Sequence, residues 1–220
     1  MLFTLLNTTA LIGWCLILAI LLSQSAEWTA PFFVPLLSSR RLLIDLLMAL
    51  EGICFIEVGR IALGQIKGNL TLGVVLHMIR MTCVSLVLPK GLIARDESDY
   101  LCILVLYSWS LTEVGRYPMY IFPSSAFARW IRLVLPIVTF PIGAISEAVG
   151  AYNALSKLWS SKDDSDGLYW IKVGLLGMVI GINSLLGPTL AYPALLKKGL
   201  PVLLGKKDQS SSKQQRKKSA

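Results

Sequence analysis

The sequence predicts an all-α protein, an integral membrane bundle of about six transmembrane helices. Composition and one recurring pattern predict it. Hydrophobic residues make up 55% of the 220 and charged residues only 15%, where a soluble domain carries about 25% charged residues. Mean hydropathy is +0.65. Apolar runs near the length of a bilayer crossing recur along the chain and use most of it, leaving little room for a soluble domain. Residues 1–200 read as one polytopic membrane domain and 201–220 as a basic cytosolic tail. The last stretch of that tail, KKDQSSSKQQRKKSA, is too polar to bury a core and is expected to be disordered.

The first span covers residues 2–22, LFTLLNTTALIGWCLILAILL. No positive segment precedes it and no convincing small-residue cleavage site follows, so it reads as a retained helix rather than a signal peptide. The second span, 42–63, holds Asp45, Glu51, Glu57 and Arg60. The third, 70–88, holds Arg80 and the lone histidine, His77. Without a second histidine to share a metal, His77 reads as a packing or helix-contact residue rather than a catalytic one. The fourth, 100–122, holds Glu113 and Arg116, and the fifth, 131–155, holds Glu147. The sixth, 169–196, holds Lys172 and several glycines, and is expected to pack closely or kink near Gly187-Pro188. Cys15, Cys54, Cys83 and Cys102 all lie in apolar segments with no CxxC pair or metal-ligand spacing, so they read as buried thiols. Neither a metal nor an organic cofactor is implied.

The net charge of +8 is concentrated in the tail, where no aromatic residues interleave with the bases, and this argues against a nucleic-acid partner. If the termini and the even-numbered loops are cytosolic, eleven bases lie on that side against six on the other, with seven acids opposite. The positive-inside bias therefore places both termini in the cytosol of a multi-pass protein in contact with membrane lipid. The final residues, KKSA, resemble the dilysine signal that retrieves membrane proteins to the endoplasmic reticulum.

Ionisable residues inside spans are expensive and face a polar interior. Five acids (Asp45, Glu51, Glu57, Glu113, Glu147) nearly balance four bases (Arg60, Arg80, Arg116, Lys172), so many are expected to pair within the bundle. Glu113, Arg116, Tyr117 and Tyr120 fall at i, i+3, i+4 and i+7 and share one helical face. Such a face can orient a polar substrate or satisfy itself, and periodicity does not choose between the two. Phe140 and Glu147 are two turns apart on the fifth span. Pro141 and Gly143 between them are expected to loosen the helix and widen a cavity beside Glu147, a candidate general acid or base.

Several marks occur in order along the chain. Asn7 and Gly13-Trp14 lie in the first span, and Glu57, Gly64 and Arg80 in and around the second and third. W-S-L-T-E-V-G-R-Y-P-M-Y stands at 109–120 and F-P-I-G-A-I-S-E at 140–147. Together they resemble the 3-hydroxyacyl-CoA dehydratases of very-long-chain fatty acid elongation, also called protein-tyrosine-phosphatase-like proteins, whose corresponding motifs are WSxTExxRYxxY and YPxGxxSE. The resemblance covers nearly the whole membrane part. It implies elimination of water from a very-long-chain (3R)-3-hydroxyacyl-CoA to give a trans-2-enoyl-CoA, and other elongation enzymes as partners. The family's catalytic glutamate carries over to Glu147, whereas its catalytic tyrosine is replaced by Phe140. Glu113, Arg116, Tyr117, Tyr120 and Arg80 would then shape the pocket or position the thioester, with Glu57 in support.

A phenyl ring neither donates nor accepts a proton. Three outcomes are therefore open: Glu147 performs both proton transfers; another phenol, such as Tyr117 or Tyr120, takes the missing role; or the chain is an impaired paralogue that acts as a scaffold for elongation enzymes. Tyrosine phosphatase chemistry is excluded by the lack of an HCxxGxxR signature. The first three spans do not recur in the last three, which argues against an inverted-repeat transporter.

Overall fold

The computed structural model describes residues 2–25, 40–65, 69–89, 99–161 and 167–205. Among them the chain forms six helical rods and no strand: α1 (Leu2–Ser25), α2 (Arg40–Ala62), α3 (Leu70–Val87), α4 (Asp99–Ile121), α5 (Ala126–Ser161) and α6 (Tyr169–Leu203). The loop bases Lys67, Lys90, Arg95 and Lys162, and the tail with its KKSA end, lie outside the described residues.

Each rod buries a stripe set by helical spacing. In α1 it is Ala10, Trp14, Ile17 and Leu21, and in α2 Leu43, Leu47, Leu50, Cys54 and Val58, at steps of three and four residues. The α4 stripe runs Cys102, Leu106, Trp109, Glu113 and Tyr117. α5 buries mostly small side chains, Gly143, Ala144, Ser146, Gly150, Ala151 and Ala154, around Glu147. Small residues bring helix axes close, and α5 packs along α4 on one side and α6 on the other. The outer faces stay apolar, with Ile12, Val138, Ile145, Trp170, Leu185 and Leu190 all exposed. Charge inside and hydrocarbon outside invert the arrangement of a soluble domain.

Rod ends follow local chemistry. The Leu72 N–H donates to Asn69 Oδ1 at 3.1 Å at the start of α3, and the Ala128 N–H donates to Ser125 Oγ at 3.2 Å at the start of α5. α2 ends in a left-handed turn at Gly64, φ 70°.

Several expectations change. Four rods (α1, α3, α5 and α6) are apolar and long enough to cross a membrane; α2 and α4 carry most of the charges that meet in the interior, around Arg80 of α3. α5 is longer than residues 131–155, and α6 continues past Gly187-Pro188 to Leu203 instead of stopping near residue 196. It does so by widening into a π-helix over Ile182–Ala191. In an α-helix the Pro188 ring would clash with the carbonyl four residues back, and the looser turn relieves that clash. Cys15 is exposed on the outer face of α1, whereas Cys54, Cys83 and Cys102 are buried as expected.

Candidate active site

Two groups of buried polar side chains lie in the bundle. The first joins α2, α3 and α4. The Arg80 guanidinium donates through Nη1 to Glu51 Oε1 at 3.1 Å and to Glu113 Oε1 at 2.7 Å. His77 Nδ1 lies 2.8 Å from the other Glu51 oxygen. Arg116 Nη2 donates to Glu57 Oε2 at 3.0 Å. Its Nε is 2.9 Å from Glu113 Oε2, close enough for an ion pair, but the N–H is not aimed at that oxygen as a hydrogen bond. The Tyr117 hydroxyl takes a 3.3 Å bond from Arg116 and lies 3.4 Å from Cys54 Sγ. Tyr120 meets Tyr117 edge-on, with centroids 6.1 Å apart, and lies under the Arg132 guanidinium. The predicted face of α4 is therefore assembled as its spacing requires, with Glu113, Arg116 and Tyr117 turned towards α2 and α3 and Tyr120 also meeting Arg132 of α5.

Glu51, Cys54 and His77 bring one possible metal-ligand atom each within 4.8 Å of the others. Both Glu51 oxygens are committed to Arg80 and His77, so the guanidinium already occupies the cation's electrostatic place. A small cleft beside this cluster is lined by Asn7, Glu57, Arg60 and Tyr117 together with Leu6, Ile53 and Ile56. Neither Glu147 nor Phe140 lines it.

The second group centres on Glu147 of α5, which is buried. Trp109 Nε1 donates to Oε1 at 2.6 Å and Asn183 Nδ2 donates to Oε2 at 2.8 Å. Both donors are neutral. Each carboxylate oxygen keeps a lone pair free, since an ionised carboxylate offers about four acceptor positions. Gly143 does not open a cavity here: a Cβ at that position would collide with Ser108 of α4. Its role is close approach, and beside it Ser108 Oγ donates to the Thr139 carbonyl, with the Thr112 and Thr139 hydroxyls 2.7 Å apart. Phe140, towards the start of α5, stacks on Tyr192 of α6 with centroids 6.3 Å apart and planes 8° from parallel.

Trp109 connects the two groups. Arg80 Cζ sits 5.2 Å from its ring centroid while its N–H binds Glu147. The sequence does not mark Trp109, Asn183, Glu51 or Tyr192 as site residues. Trp109 alone had a legible signal, lying one helical turn before Glu113 inside the quoted motif. Asn183 and Tyr192 sit in or beside a π-helix, whose register no α-helical spacing reveals.

The family described as Protein tyrosine phosphatase-like protein, PTPLA, matches residues 52–192. The mouse (Mus musculus) protein named Very-long-chain (3R)-3-hydroxyacyl-CoA dehydratase 1 is 36% identical over 67 residues, 29% of this chain and 23% of its own length. The match thus spans about a quarter of that relative. No solved structure matches the chain.

Proposed function

This chain belongs to the protein tyrosine phosphatase-like (PTPLA) family, and from that premise we propose that it is a membrane-embedded hydro-lyase of fatty acid elongation. It removes water from a very-long-chain (3R)-3-hydroxyacyl-CoA to leave a trans-2-enoyl-CoA. The membrane setting is supported by four rods of sufficient apolar length and by the apolar outer surface. The setting this reading entails is the endoplasmic reticulum membrane, and the bias of loop and tail bases supports both described ends facing the cytosol.

The observation that carries the reading is the environment of Glu147: a buried carboxylate bound by two neutral N–H donors, with lone pairs to spare. Elimination requires that the Cα–H proton be taken up, that its electron pair form the Cα=Cβ bond, and that the Cβ–O bond break with a proton delivered to the oxygen. Glu147 takes the α-proton, which the adjacent thioester carbonyl acidifies. Trp109 and Asn183 hold the carboxylate oriented without neutralising it, so it retains its basicity. The ion-pair group would hold α2, α3 and α4 in register around Trp109, with Arg80 placed to support the indole.

Phe140 favours a second reading, a non-catalytic scaffold for other elongation enzymes. Purified, detergent-solubilised protein assayed with a long-chain 3-hydroxyacyl-CoA separates the two. Turnover that Glu147→Ala abolishes supports the enzyme. Absence of turnover in the unaltered chain sinks that reading and leaves the scaffold, which should keep its cellular role when Glu147 is replaced.

A further inference from the structure

Glu147 and Asn183 form one contact between α5 and α6, and Phe140 and Tyr192 form the next. On α5 the two positions are seven residues apart, two α turns and about 10 Å along one face. On α6 they are nine residues apart. In an α-helix nine residues are two and a half turns, which would put Asn183 and Tyr192 on opposite faces. The π-helix over Ile182–Ala191 changes that register. Its bonds close from i to i+5, so a turn holds between four and five residues and two turns take about nine. The Tyr192 N–H donates to the Gly187 carbonyl across one such turn. Gly187 itself lies against the Phe140 ring, where a Cβ would come 3.7 Å from Cζ. The widened segment thus turns a phenol from the last rod onto the one ring in the F-P-I-G-A-I-S-E motif that lacks a hydroxyl.

We infer that Tyr192 supplies the phenol missing at position 140, acting as the acid that protonates the departing hydroxyl while Glu147 takes the α-proton. The inference rests on the dehydratase reading above. The Tyr192 O–H proton passes to the Cβ oxygen as the Cβ–O bond breaks and water leaves. Proton exchange through water then restores the Glu147 carboxylate and the Tyr192 phenol, so neither residue is consumed. Of the other phenols considered, the Tyr117 hydroxyl is engaged with Cys54 of α2 and with Arg116, and the Tyr120 ring with the Arg132 guanidinium near the start of α5.

The test measures kcat and KM for Tyr192→Phe, Phe140→Tyr, their double variant and Glu147→Gln, with thermal unfolding of each. Tyr192→Phe is expected to lower kcat by about 10²–10⁴-fold with little change in KM or unfolding temperature. Adding Phe140→Tyr to it should restore kcat to within about tenfold of the unaltered chain. Turnover that Glu147→Gln abolishes but Tyr192→Phe leaves intact overturns the inference and spares the dehydratase reading. A loss that Phe140→Tyr does not recover reports damaged packing and likewise overturns it. An unaltered chain that is inactive until Phe140→Tyr is introduced shows that Tyr192 is insufficient, and overturns it too. Inactivity of the unaltered chain sinks the dehydratase reading along with it, whether or not Phe140→Tyr restores turnover.

Discussion

Glu113 and Glu147 are nearly equally hidden, 1% and 7% exposed, yet they sit in opposite kinds of surroundings. Glu113 lies between two guanidinium groups, Arg80 and Arg116, which themselves hold Glu51 and Glu57. Its charge is compensated within the bundle. Glu147 has an indole and an amide, two dipoles, and among the described residues no direct ion pair. The difference separates a carboxylate that holds helices together from one able to exchange a proton. A buried pair loses several kcal/mol when one partner goes, because the other is left as an unpaired charge. A carboxylate held by neutral donors loses far less when it is neutralised, and can carry a proton as part of its work.

The sharpest test of that contrast neutralises each site in turn. Glu147→Gln is expected to cost about 10²–10⁴-fold in dehydratase kcat while shifting stability by less than about 1 kcal/mol, since the Asn183 amide can flip to face the new NH₂. Arg80→Met should do the reverse in kind. It leaves Glu51 with His77 and Glu113 with Arg116 in place of a shared guanidinium, and should destabilise the bundle by about 3 kcal/mol, read from thermal unfolding in detergent. If both variants lost stability alike, the distinction between the two groups would collapse.

A smaller effect is expected where the groups meet. Trp109→Phe keeps a ring over Arg80 but removes the N–H bound to Glu147. The expected result is a fall in kcat of about tenfold to a hundredfold, with a stability loss near 1 kcal/mol. A variant that unfolds as readily as Arg80→Met would move Trp109 wholly into the structural group. The smallest effect concerns the loop and tail bases that the positive-inside pattern assigns to the cytosolic side, which should attract the phosphates of CoA. Raising salt to roughly 0.3 M is expected to increase the apparent KM by about twofold without changing kcat. A KM indifferent to salt would remove those bases from substrate capture.

Much of the fold was legible. The stripes Ala10-Trp14-Ile17-Leu21 and Leu43-Leu47-Leu50-Cys54 are periodic in the sequence and buried in the structure, because helical spacing is a local property. The one-sided grouping of Glu113, Arg116, Tyr117 and Tyr120 follows from the same rule. Charge balance foreshadowed pairing, and five of the nine charges read within the spans enter the α2–α3–α4 cluster: Glu51, Glu57, Glu113, Arg80 and Arg116. Asp45 instead faces outward from α2, and Glu147 has neutral partners. Gly143 was misread because a glycine loosens a helix and admits a neighbour equally well. Only the position of Ser108 shows that the second applies.

From the sequence alone came the helical class, the positions of the six rods, the carboxyl group at 147 and the absence of a phenol at 140. These are matters of composition and of spacing within one helix. The tertiary structure alone decided which acid meets which base, that Trp109 bridges the two polar groups, and that Tyr192 turns onto Phe140. Those outcomes depend on the rotation of each rod about its axis and on how near its neighbour can come. Both are set by contacts distant in sequence and, in α6, by a π-helical register that α-helical periodicity does not encode.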